Sequence, residues 1–444
     1  MRRNKSYRFK LMLVIFVLAV CSYIFIAGFA IYEKNSQGTD QKESNIVPMA
    51  ESSSGNQINS DTAIDEMGIN DVILENNEAG EDAISTEEED SSKEEILNEK
   101  VAEILAKMTL EQKIYQMFIV TPEQLTGVAT VTAAGEQTKN SLLKQPIGGM
   151  VYFSQNIVNQ NQVIDMLNNT QKYSDEVEGI PIFLCIDEEG GRVTRIANNS
   201  NFDDENVGPM ADIKTVEEAL DAGETIGEYL NKYGFNVDFA PDADVITNPN
   251  NGVIGDRAFG DNADNVTEFA IAYSDGLHSK NVLSTFKHYP GHGATEADTH
   301  EGYAYTNKKY EDLLEQELKP FMAAEQNNVN FIMVAHISVP YITGDNTPCS
   351  LSEKMISEIL RHEIGYNGLI ITDALNMGAI SQNYNSERAC ILAIKAGNDM
   401  LLMPRSLSDA VRAIENAVES GELSEGRIDE SVARILYVKL SEIE

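Results

Sequence analysis

The 444-residue chain contains no tryptophan, and its four cysteines, Cys21, Cys185, Cys349 and Cys390, fall in no paired spacing. Neither a disulfide framework nor a thiolate metal site is therefore indicated. Positive charge is scarce as well: 33 Lys and Arg stand against 71 Asp and Glu, for a formal net charge of -38. So acidic a surface repels nucleic-acid phosphates and anionic headgroups, which argues against both as partners of the soluble part. Without covalent or metal staples the fold must rest on an ordinary hydrophobic core, and residues 94–444 are long enough to bury one.

Apolar runs of membrane-spanning length are also missing after Tyr32. Ahead of it, residues 1–10 carry Arg2, Arg3, Lys5, Arg8 and Lys10, and residues 11–32 carry no charge. At helical rise that run crosses a bilayer. The basic flank predicts an uncleaved anchor with its N-terminus inside and the rest of the chain outside. The rival is a cleaved signal, with small residues at Ala27 to Ala30 for a peptidase, which would leave a secreted protein. Lipidation at Cys21 is disfavoured, because Val20 precedes it where a small residue is wanted. Residues 33–93 are rich in Ser, Asn, Asp and Glu and poor in large apolar side chains, the composition of a disordered, solvated linker.

From Glu94 onward, short apolar runs alternate with amphipathic stretches, the pattern of a parallel sheet covered by helices. Eight strands are predicted: Ile114–Val120, Gly149–Phe153, Pro181–Ile186, Val237–Ala240, Val282–Phe286, Asn330–Ala335, Leu369–Thr372 and Asp399–Met403. Eight units predict an α/β fold of the (β/α)8 barrel type. An open doubly wound sheet commonly carries a phosphate-binding glycine fingerprint after its first strand, and none follows Val120. In a barrel the residues just after each strand line the active-site mouth. Here they are Asp187-Glu188-Glu189, Asp242, Lys287-His288, His336 and Asp373.

Asp373 directly follows an apolar strand, a rigid position suited to a carboxylate that attacks an anomeric carbon in a retaining glycosidase. It equally suits the cap of a helix starting near Ala374. His288, His292 and His300, half of the six histidines, lie with Asp298 on one loop that also holds Pro290, Gly291 and Gly293. They form a metal site, an Asp298–His300 proton-transfer dyad, or a solvated loop. Pro290 and Gly291 weaken the metal reading, since they prevent the helical turn that would bring His288 and His292 to one face. The adjacent acids at 187–189 would either position a substrate acetamide or hydrogen-bond sugar hydroxyls. Gly190 and Gly191 mark a close backbone approach or a tight turn.

These residues resemble glycoside hydrolase family 3, and within it the β-N-acetylglucosaminidase branch. Met108-Thr109-Leu110-Glu111-Gln112-Lys113, where Thr109 and Gln112 can form a capping box, is similar to the family's opening signature. Arg427-Ile428-Asp429-Glu430-Ser431-Val432 is similar to its closing one, so the likeness spans nearly all of Glu94 to Glu444. The run from Lys287 to Gly293 followed by Asp298-Thr299-His300 resembles the loop of that branch in which the histidine is general acid/base and the aspartate its partner. The resemblance implies Asp373 as nucleophile, and Asp187, Arg195, Arg257, Lys287 and His288 as binders of the terminal sugar. Three positions depart from the branch: Glu188 is often Gln, Tyr289 often Phe, and Ala374 a second aspartate. With no Trp, sugar stacking falls to Tyr or Phe.

The expected organisation is a basic cytoplasmic tail (1–10), a transmembrane anchor (11–32), a linker (33–93) and a catalytic barrel (94–444). The expected function is that of a membrane-tethered, monomeric, retaining exo-β-N-acetylglucosaminidase acting on peptidoglycan fragments, without metal or other cofactor. The alternatives are a family 3 β-glycosidase or phosphorylase of other sugar preference, and a non-catalytic protein that binds wall glycan.

Overall fold

The computed structural model describes residues 81–443 except 296, 297, 300, 301 and 303, and of residues 81–92 the backbone alone. The anchor expected at 11–32 lies outside the described residues, and no described helix is long and apolar enough to cross a membrane. Helix α1, Glu81–Lys107, begins inside the segment expected to be linker. Its outer part is polar but rich in strong helix formers. A shortage of core-forming residues in the sequence therefore did not preclude a helix there. Nearer its end α1 becomes amphipathic, placing Leu97, Val101, Ile104 and Leu105 against the core at helical spacing.

Helix α2, Leu110–Gln116, starts on the anticipated capping box: the Gln112 N–H donates to Thr109 Oγ1 at 3.2 Å and the Thr109 N–H to Gln112 Oε1 at 2.9 Å. Ile114, Tyr115 and Gln116, expected to open the first strand, instead end this helix. All three are buried, and a short buried run reads alike for helix and strand.

The strands in chain order are β1 (Phe118–Val120), β2 (Gly149–Val151), β3 (Phe183–Ile186), β4 (Val237–Asp238), β5 (Thr285–Tyr289), β6 (Ala304–Tyr305), β7 (Phe331–Val334), β8 (Ile337–Ser338), β9 (Leu369–Thr372) and β10 (Leu401–Leu402). Each of the eight predicted runs contains or overlaps one of them, while β6 and β8 form an additional two-stranded pair. A parallel sheet runs β10-β1-β2-β3-β4 and a second runs β5-β7-β9. Isolated parallel bridges Val237–Leu283 and Asp242–Lys287 link the β4 edge to the β5 edge, and Ile371–Met400 links β9 to the chain entering β10. Phe183 of β3 and Phe331 of β7 meet edge to face at 5.2 Å, so both sheets share one core.

The principal helices between and after the strands are α3 (Gln160–Glu178), α4 (Val216–Tyr233), α5 (Ala263–His278), the short α6 (Pro340–Thr343), a π-type helix Lys354–Glu363, α7 (Ser386–Ala396), α8 (Leu407–Glu419) and α9 (Glu425–Glu442). Helices α3, α4, α5, α7, α8 and α9 start on side-chain caps from Asn159, Thr215, Asn262, Asn385, Ser406 and Ser424, each contributing about 1 kcal/mol. The closing motif on α9 has a structural task. Ser431 donates to the buried Asp399 at 2.8 Å, and Arg361 and Arg434 pair with the same carboxylate at 2.5 and 3.1 Å. Asp399 thereby ties the last helix to the strand ends.

Candidate active site

Asp187 leaves β3, and its two oxygens face different cations: Lys287 Nζ lies 3.0 Å from Oδ1 and Arg195 Nη2 lies 3.3 Å from Oδ2. Two residues on, Glu189 is buried and accepts from Arg257 Nε at 2.7 Å, from Arg257 Nη2 at 2.8 Å and from Lys287 Nζ at 2.5 Å. Burial opposes ionisation of Glu189, but the charges of Arg257 and Lys287 prevail and hold its carboxyl well below the usual range. Lys287 is itself buried, which disfavours its charge. Glu189 and Asp187 reverse that and raise it above the usual lysine value.

Glu188, between these two, has a different task. Its Oε2 accepts from the backbone N–H of Arg195 at 2.5 Å and of Ile196 at 3.0 Å. Its Oε1 accepts from the Ala197 N–H at 2.9 Å and from the Tyr229 hydroxyl at 3.1 Å. Burial raises its pKa despite those bonds. The loop it fastens carries Arg195, and it begins at Gly190 (φ +92°) and Gly191 (φ +55°), where an added Cβ would lie 2.7 Å from Gly208 O and 2.8 Å from Pro209 Cα. Both readings of the paired glycines thus hold together: left-handed backbone and close approach. With Glu188 fully occupied and Glu189 clamped, neither is placed to position a substrate acetamide.

Lys287 and His288 lie within β5, not after it, and the β5–β7 register shifts between Lys287 and Tyr289. The His288 Nδ1 is 2.8 Å from Asp244 Oδ2, and its Nε2 is 3.4 Å from Arg257 Nη2. Burial pushes the imidazole down to about 4, so it is neutral at pH 7, with the proton on Nδ1 donated to Asp244. Asp242, just after β4, sits with one oxygen 3.3 Å from Arg257 Nη2. Burial and the neighbouring Asp244 push it up to about 7.

Asp242, Asp244 and His288 offer ligand atoms within 4.8 Å of one another. In this arrangement the Arg257 guanidinium already supplies the positive charge beside them. The metal reading based on His288 and His292 fares differently from the sequence pattern. Their rings are 5.9 Å apart, and His292 directs its nitrogens to the hydroxyls of Thr295 (3.1 Å) and Thr299 (3.3 Å).

Asp373 directly follows β9. Its N–H donates to Val334 O at 3.0 Å, and its Oδ1 accepts from the next residue, the Ala374 N–H, at 2.7 Å. The following helical turn starts only at Gly378 with Met377 as its cap position, so Asp373 does not cap it. His336, expected at the mouth, is a support: its Nε2 meets Ala374 O at 3.0 Å and its Nδ1 the Ser350 hydroxyl at 2.7 Å.

One cavity of about 400 Å³ gathers Asp187, Arg195, Arg257, Lys287, His288 and Asp373 along its lining, together with Glu189, Phe153, Asn376 and Met377. Of the anticipated site, the nucleophile position and all five sugar-binding positions therefore converge. Asp298 and Thr299 lie on the neighbouring loop, where Thr299 O accepts from the Ala379 N–H at 3.0 Å. His300 lies outside the described residues. Asp244, the partner of His288, was missing from the anticipated residues, and Glu189, anticipated only as one of the mouth acids, proves to be the centre of the charge network. Glu189 was visible as the third acid after β3, and the Asp242-Ala243-Asp244 alternation pointed two carboxylates the same way.

Residues 109–438 match the family model described as Glycosyl hydrolase family 3 N terminal domain. A β-hexosaminidase A of Pseudoalteromonas piscicida is 32% identical over 335 residues, which cover 70% of this chain and 56% of that protein. A β-hexosaminidase of Mycobacterium tuberculosis is 34% identical over 268 residues, 59% of this chain and 68% of the relative. The solved structure of a glycoside hydrolase family 3 β-N-acetylglucosaminidase from Paenibacillus sp. has a TM-score of 0.70 at 33% identity, covering 75% of this chain and 62% of that one. This chain thus spans little more than half of the Pseudoalteromonas protein's length. A model match over most of the chain, agreeing with an α/β fold and a carboxylate-lined cavity, establishes that the chain belongs to glycosyl hydrolase family 3, in its β-hexosaminidase branch.

Proposed function

We propose that this chain is a retaining exo-β-N-acetylglucosaminidase, and the observation that carries the proposal is Asp373 at the end of β9 in one cavity with five sugar-binding side chains. Asp373 attacks the anomeric carbon of a terminal sugar while the aglycone C–O bond breaks. His300 donates a proton to the leaving oxygen, oriented by Asp298. Neutral His300 then takes a proton from water, whose oxygen adds to the anomeric carbon and frees Asp373. Asp187, Arg195, Arg257, Lys287 and His288 bind the sugar hydroxyls, with the Arg257 fork already set by Glu189.

The β-hexosaminidase names of the relatives support the N-acetylglucosamine preference. Under this reading the two parallel sheets close into a single (β/α)8 barrel, a view supported by the bridges at both sheet edges. The natural substrate is a peptidoglycan fragment outside the membrane, reached by a barrel that begins near residue 94, on a linker and an anchor at 11–32. The basic flank and uncharged run support that placement.

The test compares an aryl β-N-acetylglucosaminide with the aryl β-glucoside, each with and without phosphate, for the wild type and Asp373→Asn. Hydrolysis of the first substrate by the wild type, independent of phosphate and lost in the variant, is expected. Full activity in Asp373→Asn removes the assigned nucleophile, and preference for the glucoside or for phosphate removes the assigned substrate or acceptor.

A further inference from the structure

Nearly every described Phe and Tyr side chain is buried or half-buried; the two exposed ones are Tyr305 at 59% and Tyr341 at 67%. A single exposed ring needs no explanation. These two, however, stand on the same short stretch of structure. Tyr305 lies on β6, which pairs with β8, and Tyr341 lies on α6, which starts two residues after β8. Two hollows flank α6. One, of about 380 Å³, is lined by Tyr305, Asn307, Ser338, Pro340 and Asn346. The other, of about 540 Å³, has Tyr341 in its wall.

Hydrogen bonds tie the region together. The Thr306 N–H donates to Ser338 O at 3.1 Å, Ser338 Oγ donates to Asn346 O at 2.8 Å, and α6 ends on a left-handed Gly344. It also follows a strand that reaches the candidate site. Val334, whose carbonyl accepts from the Asp373 N–H, is four residues before Ser338, and at about 3.8 Å per residue the hollow begins within about 15 Å of that strand end. Exposed tyrosines beside side-chain amides match what a sugar ring presents: a C–H face to stack and hydroxyls to hydrogen-bond.

We infer that Tyr305 and Tyr341 form a second carbohydrate-binding surface, which holds the sugars on the leaving-group side of the scissile bond. The ligand is a β-linked hexosamine chain running outward from the Asp373 cavity. This rests on the glycosidase reading, and the two are tested separately. In an Asp373→Asn background, calorimetry measures binding of a β-linked N-acetylglucosamine tetrasaccharide and of the monosaccharide. Tyr305→Ala and Tyr341→Ala weaken tetrasaccharide binding by about tenfold each and leave monosaccharide binding unchanged, and Tyr305→Phe restores it.

With Asp373 intact, the same alanine variants lower kcat/KM about tenfold on the tetrasaccharide and leave the aryl N-acetylglucosaminide unaffected. Equal losses on long and short substrates, or unchanged tetrasaccharide binding, overturn the surface. A wild type that turns over neither substrate refutes the activity, and the binding measurement still decides the surface.

Discussion

Arg257 grips Glu189 through two parallel hydrogen bonds, Nε to Oε2 at 2.7 Å and Nη2 to Oε1 at 2.8 Å. The same guanidinium lies 3.3 Å from Asp242 and 3.4 Å from His288, so it is shared among three buried side chains. Replacing Arg257 by Ala leaves Glu189 with Lys287 as its remaining cation and Asp242 with the neutral His288 beside it. A loss of about 3–5 kcal/mol in denaturant unfolding is expected, since the buried Glu189 charge loses its two-bonded partner. Arg257→Lys retains charge without the fork and should recover part of that stability but little activity. An Arg257→Ala protein as stable as the wild type would show the network to be energetically idle.

Asp242 and His288 respond to pH in opposite senses. Asp242, pushed up to about 7, keeps a proton that the unfolded chain has lost; its contribution is full below about pH 4 and disappears as pH rises toward 7. His288, pushed down to about 4, refuses a proton that the unfolded chain accepts; its contribution is full above about pH 6.5 and disappears as pH falls toward 4. Between pH 4.5 and 6.5 these two contributions therefore oppose each other. Asp242→Asn removes one slope, and its stability should rise with pH across the window by up to about 3 kcal/mol. Urea midpoints at half-unit pH steps decide it; a variant profile with the same pH dependence as the wild type's contradicts the assignment.

Glu188→Gln tests the fastening of the Arg195 loop. The amide oxygen can still accept from the Arg195 and Ile196 N–H groups, and the amide nitrogen can donate to the Tyr229 oxygen. The Ala197 N–H is then left unsatisfied, at a loss of about 1–3 kcal/mol. Because Arg195 is carried by that loop, KM for an aryl N-acetylglucosaminide should rise more than kcat falls. A change confined to kcat would place Glu188 in the chemistry instead.

Asp298→Ala leaves the proposed acid/base histidine without its orienting carboxylate. A fall in kcat of about 10²–10⁴-fold is expected, with the pH–rate profile displaced toward lower pH because the charge that favours the imidazolium is gone. Aryl leaving groups that need little protonation should suffer least. An unshifted profile with full kcat argues for a different acid.

The strand positions were legible because each is an apolar run of strand length, and the residues just past the end of a barrel strand face the mouth. That logic located Asp187 and Asp373 from Phe183–Ile186 and Leu369–Thr372 alone. It failed at Ile114–Gln116, where burial without periodicity hides a helix end. At Glu81–Ser92 composition ruled out a core without ruling out a helix. Within the site, residue type fixed position better than role. Glu188, Glu189 and His336 stand where mouth residues were expected, but all their polar atoms are engaged with protein, a fact that depends on partners at positions 195–197, 257 and 350.

The buried Glu188 carboxylate accepts from four donors of its own chain. The ordering entropy of the Arg195 loop is consequently settled during folding, before any sugar arrives. That wall of the cavity is preorganised, and affinity for the terminal sugar need not be drawn down to shape it.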